Sequence, residues 1–384
     1  MQINLFDDPK IRGQLLPFTY TRPVASIRIG ILTIAEKWEK FGFQIGYQTQ
    51  EYLGKKFPSI PSSLTINGAL IPSKELANAI SKLAEGEFLV KGEVRLASNG
   101  ESKSAVDFQG ETLLIENSWD IFRLNRSQIE ADFDLITKGR TSQEITDPHT
   151  IVYGKENLFV EEGASIKAAI INAENGPVYI GKNASVHEGA IINGAFALCE
   201  SSHVNMGANI KGDTTIGPHC KVGGEVSNSV IFGYSNKGHD GFLGNSVIGE
   251  WCNLGADTNT SNLKNNYAPV KLWNYQSGRF SNTGLQFCGL MMGDHAKCGI
   301  NTMFNTGTVV GVGANIFGSG FPRNFVPSFS WGGANGFTTF QPRKFYEVAD
   351  AVMKRRSLEF DDIEKEIVDA VFDRTAEYRI WEKK

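Results

Sequence analysis

A histidine set among glycines is where chemistry can begin in this sequence: Gly238-His239-Asp240-Gly241-Phe242-Leu243-Gly244-Asn245-Ser246-Val247-Ile248-Gly249. Cys252-Asn253-Leu254-Gly255-Ala256 follows, then Asn262, Lys264 and Lys271. An imidazole exchanges its proton near neutral pH, so it is suited to relieving an attacking amine of a proton. An ammonium pairs with phosphate oxygens as a point charge. Asparagine offers a donor and an acceptor to a polar ligand. Plainer uses stand beside these: a loop histidine bonded to a neighbouring segment, two solvated lysines, and asparagines that bond their own neighbours at turns.

A second group lies near the start, in Leu5-Phe6-Asp7-Asp8-Pro9-Lys10-Ile11-Arg12-Gly13-Gln14-Leu15-Leu16-Pro17-Phe18-Thr19, with Arg22-Pro23 just beyond. Arg12, Thr19 and Arg22 are candidates for holding an anionic ligand, although arginines on a surface need no such explanation. Asp7 and Asp8 would repel a triphosphate unless a metal intervened, and Pro9 removes a backbone donor.

The elements that position these groups follow from a repeat. Every sixth residue from Ile180 is aliphatic: Ile180, Val186, Ile192, Leu198, Val204, Ile210, Ile216 and Val222. Two residues before each, from Ala184 to Cys220, the side chain is small except at Phe196. The register resumes at Ile248 and Leu254, and again from Met292 to Ile316. A period of six fits neither a helix nor an ordinary strand. It fits a triangular coil, one short strand per side, with the aliphatic residue inside and the small residue at the bend. A left-handed parallel β-helix of hexapeptide repeats is therefore expected. Two stretches, residues 227–245 and 257–286, break the register, and both are expected to leave the stack as loops that carry the site.

Four regions result. Residues 1–123 mix short apolar segments with the helical stretch GILTIAEKWEKF, as in an α/β domain with some parallel sheet. Residues 124–150 hold a connecting helix, Asn125 to Thr137, and a linker. Residues 151–335 form the β-helix. Residues 336–384 supply two charged amphipathic helices, expected to pack against the coil ends as a cap.

Composition narrows the partners. A net charge of −4 gives no reason to expect nucleic acid, and no window approaches the apolar length of a membrane span. The start is neither basic nor apolar enough for a signal peptide. Five cysteines without a C-x-x-C pair suggest neither a disulfide framework nor a zinc site, so a reduced cytoplasm is the expected location.

The run from His239 through Ile248-Gly249 to Asn253-Leu254-Gly255-Ala256 and Asn262 resembles the acetyltransferase domain of bacterial UDP-N-acetylglucosamine diphosphorylase/glucosamine-1-phosphate N-acetyltransferases. The resemblance extends, in a divergent form, over nearly the whole chain. It implies a truncated nucleotidyltransferase-like α/β domain, then the acyltransferase β-helix, then the C-terminal helices. It further implies that His239 is the base that deprotonates the sugar amine, that Asn253, Asn262, Lys264 and Lys271 bind the sugar phosphate, and that Ala256 lines the pocket for acetyl-CoA, the co-substrate. A cytoplasmic homotrimer with sites at its seams is implied as well.

Four departures from the family bear on function. Phe242 stands where a tyrosine is usual, and Asp257 where the last glycine of the motif is usual. Near Arg12 the Gly-rich phosphate turn is missing, and Asn67-Gly68-Ala69-Leu70-Ile71-Pro72 lacks the carboxylate that would hold Mg²⁺, which would be needed only if the N-terminal domain is active. The leading expectation is an N-acetyltransferase acting on an amino-sugar 1-phosphate such as glucosamine 1-phosphate. The alternatives are a sugar-1-phosphate nucleotidyltransferase as the main reaction, or a non-catalytic scaffold that binds sugar nucleotides.

Overall fold

A computed structural model describes residues 1–383. The chain divides into two compact units, one formed by Met1–Arg28 and Leu32–Ser118, the other by Ile29–Ile31 and everything from Trp119 onward.

The first unit is built on a six-stranded mixed sheet, in the order 44–48, 2–6, 64–67, 94–99, 87–91, 104–107. Gln2–Phe6 pairs in parallel with both neighbours. Its inward residues Ile3 and Leu5 are fully buried, as the alternation along QINLF requires. The helix Ile34–Lys40 covers this core with Trp38, whose indole N–H donates to the Leu70 carbonyl at 3.0 Å. Thr33 and Glu36 close a reciprocal capping box at its start.

The second unit is the left-handed parallel β-helix with C-terminal helices that the repeat anticipates. Two long parallel faces run from 158–160 to 325–326 and from 165–166 to 330–333; the latter ends on the antiparallel strand 336–339. A third face begins at 151–153 and runs to 242–244, with 259–260 and 303–304 paired beyond it. The six-residue series walks round these faces in turn: Ile180 lies on the first, Val186 on the second and Ile192 on the third. One continuous apolar column fills the prism.

Residues 227–245 correct the sequence reading. They do not leave the stack. Strands 230–231, 236–237 and 242–244 take their places on the three faces. The register breaks because the coil shortens: Val204 to Val222 spans eighteen residues, but Val222 pairs with Lys237 only fifteen residues on. The other interruption leaves the stack in part. Asn259–Thr260 still pairs with Met303–Phe304, and the chain then departs into a loop that carries the hairpin 271–274/279–282 before returning at Met291.

The connecting helix spans Asn125–Thr137. Asn125 is fully buried; its side chain accepts from the Gly30 N–H at 2.8 Å and donates to the Asp213 carbonyl at 3.0 Å. The C-terminal helices are Pro342–Lys354 and Asp362–Arg374. They pack on the last coils, with Phe345 against Phe329 and His295, and Phe372 edge-on to Phe329. No helix among the described residues is long and apolar enough to cross a membrane.

Candidate functional site

The third face is the frame of the site. Its strand Phe242–Gly244 enters from the corner formed by residues 238–241 and leaves toward Asn245. His239 occupies the first corner, with its side chain exposed. One coil later Ala256 and Asp257 occupy the same corner, and the Asp257 N–H donates to the Asp240 carbonyl at 3.1 Å. Asp257 adopts φ 55°, the left-handed conformation that the glycine usual in this motif takes without strain. Asn253 leads into the corner along the second face, exposed and in register with Asn236 on one side and Lys297 on the other. His239, Ala256 and Asn253 are thus brought together.

Asn262, Lys264 and Lys271 lie beyond the opposite end of the third face, a three-residue strand or about 10 Å of extended chain away. The Asn262 amide donates to Asn245 Oδ1 at 2.8 Å. Lys264 Nζ is half-buried and donates to the Pro269 carbonyl at 3.0 Å, within its own loop. Lys271 opens the hairpin and is exposed. Phe242, where the family carries a tyrosine, has its ring against Gly244: a methyl there would lie 2.5 Å from the ring.

Two cations escaped the sequence reading. Lys237 takes the inward, aliphatic place in the second-face column and is 2% exposed. Its ammonium donates to the carbonyls of Gly223 at 3.0 Å, His239 at 2.5 Å and Asp240 at 3.2 Å. Burial pushes its pKa down to about 8, against the opposing pull of Asp240, Asp257 and Cys298. The signal that would have found it is a charged residue where the coil demands an apolar one. Lys297 stands beside Asn253, bonded to the His295 carbonyl at 3.0 Å and likewise pushed down to about 8 by burial.

In the first unit the proposed anion-binding group is an internal network. The Arg12 guanidinium donates to the Thr19 carbonyl at 2.7 Å and the Tyr52 hydroxyl at 2.8 Å, and lies 3.6 Å from Asp7. Thr19 is fully buried and returns a bond to the Arg12 carbonyl, and Arg22 is 5% exposed. Thr19 therefore presents no surface to a ligand. Asp7 accepts from the Val24 N–H and the Thr49 hydroxyl, and burial raises its pKa. Asp8 caps the helix Pro9–Gln14.

A cavity of about 710 Å³ lies between the C-terminal helices against Tyr346, Asp350, Lys354, Phe360 and Lys365, and holds no residue of the candidate site.

Residues 3–141 match the family described as sugar nucleotidyl transferase. The bifunctional sugar-1-phosphate nucleotidylyltransferase/acetyltransferase of Sulfurisphaera tokodaii is 27% identical over 268 residues, 68% of this chain and 59% of that protein. Bifunctional protein GlmU of Methanocaldococcus jannaschii is 39% identical over 87 residues, 23% of this chain and 21% of that protein. The matched stretches thus span less than two thirds of either relative. A solved structure of the polySia specific acetyltransferase NeuO covers 51% of this chain and 85% of its own, at 15% identity and a TM-score of 0.27, too low to carry an argument.

Proposed function

Since the chain is a divergent GlmU-like protein, with a nucleotidyltransferase-like N-terminal domain and a hexapeptide-repeat domain, we propose that it transfers an acetyl group from acetyl-CoA to the amine of an amino-sugar 1-phosphate. Glucosamine 1-phosphate is the first substrate to test. The observation that carries this reading is the stacked corner of His239 and Ala256: an exposed imidazole lies one coil from a small side chain, so a thioester and an amine can meet beside a base. An ammonium has no lone pair, so attack on the thioester carbonyl must follow proton loss to such a base. His239 takes that proton, the amine forms the new C–N bond as the thioester C–S bond breaks, and the amine's second proton passes to the departing sulfur, so that CoA leaves as the thiol. Asn253 bonds the sugar or the acetyl carbonyl.

Lys271 holds the phosphate, with Asn262 and Lys264 shaping its loop. The separation of these residues from His239 along one face supports a homotrimer, in which a neighbouring prism brings its own loop to the base. Light scattering at micromolar concentration tests this, and a monomeric mass rules it out. The reaction itself is tested by following free thiol release from acetyl-CoA with a panel of amino-sugar 1-phosphates. Release that is independent of every sugar in the panel would sink the proposal.

The burial of Thr19 and Arg22, and the internal bonds of Arg12, argue against these residues as the phosphate site of a working nucleotidyltransferase. Nucleotidyl transfer by the N-terminal domain, which its family match supports, and a sugar-nucleotide scaffold stand as the alternatives, the scaffold favoured if the protein binds such ligands and turns over none.

A further inference from the structure

We propose that Lys237 is a positioning residue: its buried ammonium, together with the Asn205 amide, holds the carbonyls of the 238–240 corner and so fixes where the His239 imidazole is presented. The inference rests on the reading of His239 as the base. In the coils at 205–208 and 255–258 the equivalent corner closes on a backbone bond, Ala208 N–H to the Asn205 carbonyl at 3.2 Å and Thr258 N–H to the Gly255 carbonyl at 3.3 Å. At 238–241 side chains supply the donors. The Gly238 carbonyl accepts from Asn205 Nδ2 at 2.7 Å, and those of His239 and Asp240 accept from Lys237 Nζ. The corner rests on Gly223 and Gly224, where a methyl would come within 2.5 Å of the Gly238 carbonyl oxygen and 2.8 Å of the His239 one.

The position argues for function over packing. The second-face column reads Val186, Val204, Val222, Lys237, Leu254, Cys298, Ile316, so a charge occupies one place in an otherwise apolar series. Keeping an ammonium at an inward place costs a desolvation that an apolar residue would avoid. A lysine at the coil that carries His239 is then a feature kept at the expense of the column, and its donors all reach the corner or the glycine beneath it.

The test uses Lys237→Met in the full chain, with three readouts. Thermal stability should hold or rise. Amide hydrogen exchange at residues 238–241 should accelerate by about tenfold or more, as for a loop released from its bonds. Turnover in the thiol-release assay should fall about tenfold or more with the KM for acetyl-CoA nearly unchanged, because a misplaced base costs the transition state and not the cofactor. Unchanged exchange, or unchanged turnover in a chain whose His239→Ala variant is inactive, overturns the proposal. Faster exchange beside a His239→Ala variant that keeps its turnover upholds the clamp and overturns only the base reading. If Lys237→Met fails to fold, Asn205→Ala serves: it should loosen the same corner and lower turnover, and an unaltered corner and rate would overturn the proposal.

Discussion

Tyr234 and Trp251 stack face to face one coil apart, with ring centroids 4.2 Å from each other and planes 9° from parallel. They belong to a ladder at a single corner, His219, Tyr234, Trp251 and His295, each with φ between 58° and 63°. That conformation is uncommon for bulky residues and persists where the surroundings impose it. Here each residue's N–H donates to the coil below, from His219 to the Glu200 carbonyl through His295 to the Glu250 carbonyl.

The ladder should therefore contribute to stability as a coupled unit. Trp251→Ala is expected to cost about 3–5 kcal/mol, since it removes a buried aromatic. A double-mutant cycle with Tyr234→Ala should leave a coupling of about 0.5–1.5 kcal/mol beyond area burial. Urea unfolding of the four proteins measures it, and strict additivity would show the stack to be energetically idle.

Lys237 gives a prediction with a definite sign. Its folded pKa of about 8 lies below the ordinary 10.5 of an exposed lysine, because burial disfavours the charge. Between those values the unfolded chain binds more protons, so stability contributed by this group rises with pH across that window. The charged groups around it are Asp240 and Asp257, beside the Cys298 thiol, whose pKa burial raises. Relative to Lys237→Met, the wild-type protein should gain up to about 3 kcal/mol between pH 7 and pH 10. Urea unfolding of both proteins at each pH measures the gap, and a gap independent of pH would mean that Lys237 is not desolvated.

These two features also mark the limits of the sequence. The six-residue column was legible from Ile180 to Val222 because every inward residue there is aliphatic and the coils from 186 to 222 keep eighteen residues. It was lost at 227–245 because a lysine took an inward place just where the coil lost three residues, and a shortened coil looks like an insertion to a fixed period. The helix Asn125–Thr137 was read correctly from its apolar spacing. Its first residue's buried bonds to Gly30 and Asp213 were invisible, because they join positions 95 and 88 residues apart. Arg12 looked available for a ligand in part for the same reason, since Tyr52 lies 40 residues away, although Asp7 and Thr19, which also engage it, are near in sequence.

At the far end of the third face, Lys271 and Lys264 should part company. Lys271 is exposed on the hairpin, so Lys271→Ala should raise the KM for the sugar phosphate by about tenfold while turnover stays within about threefold, the signature of lost uniform binding. Lys264 bonds the Pro269 carbonyl, so Lys264→Ala should loosen the loop and alter both constants together. Steady-state kinetics on the two variants decides between them. Equal effects would mean that neither ammonium meets the phosphate alone.

His239 carries the sharpest expectation. If its imidazole is the base, His239→Ala should lower turnover about a hundredfold or more, the usual contribution of a positioned general base. The apparent affinity for acetyl-CoA should change little, because the base meets the amine and not the cofactor. The corner should survive the substitution, because its bonds to Lys237 and Asn205 run through the carbonyls of Gly238, His239 and Asp240, which the variant keeps. A loss of turnover would then report on the imidazole alone and not on a collapsed loop, and unchanged amide exchange at 238–241 checks that separation. A variant that keeps its turnover returns His239 to the role of a loop histidine and sends the search for the base to its neighbours at the same corner, Asp240 and Asp257, whose backbones are bonded at 3.1 Å.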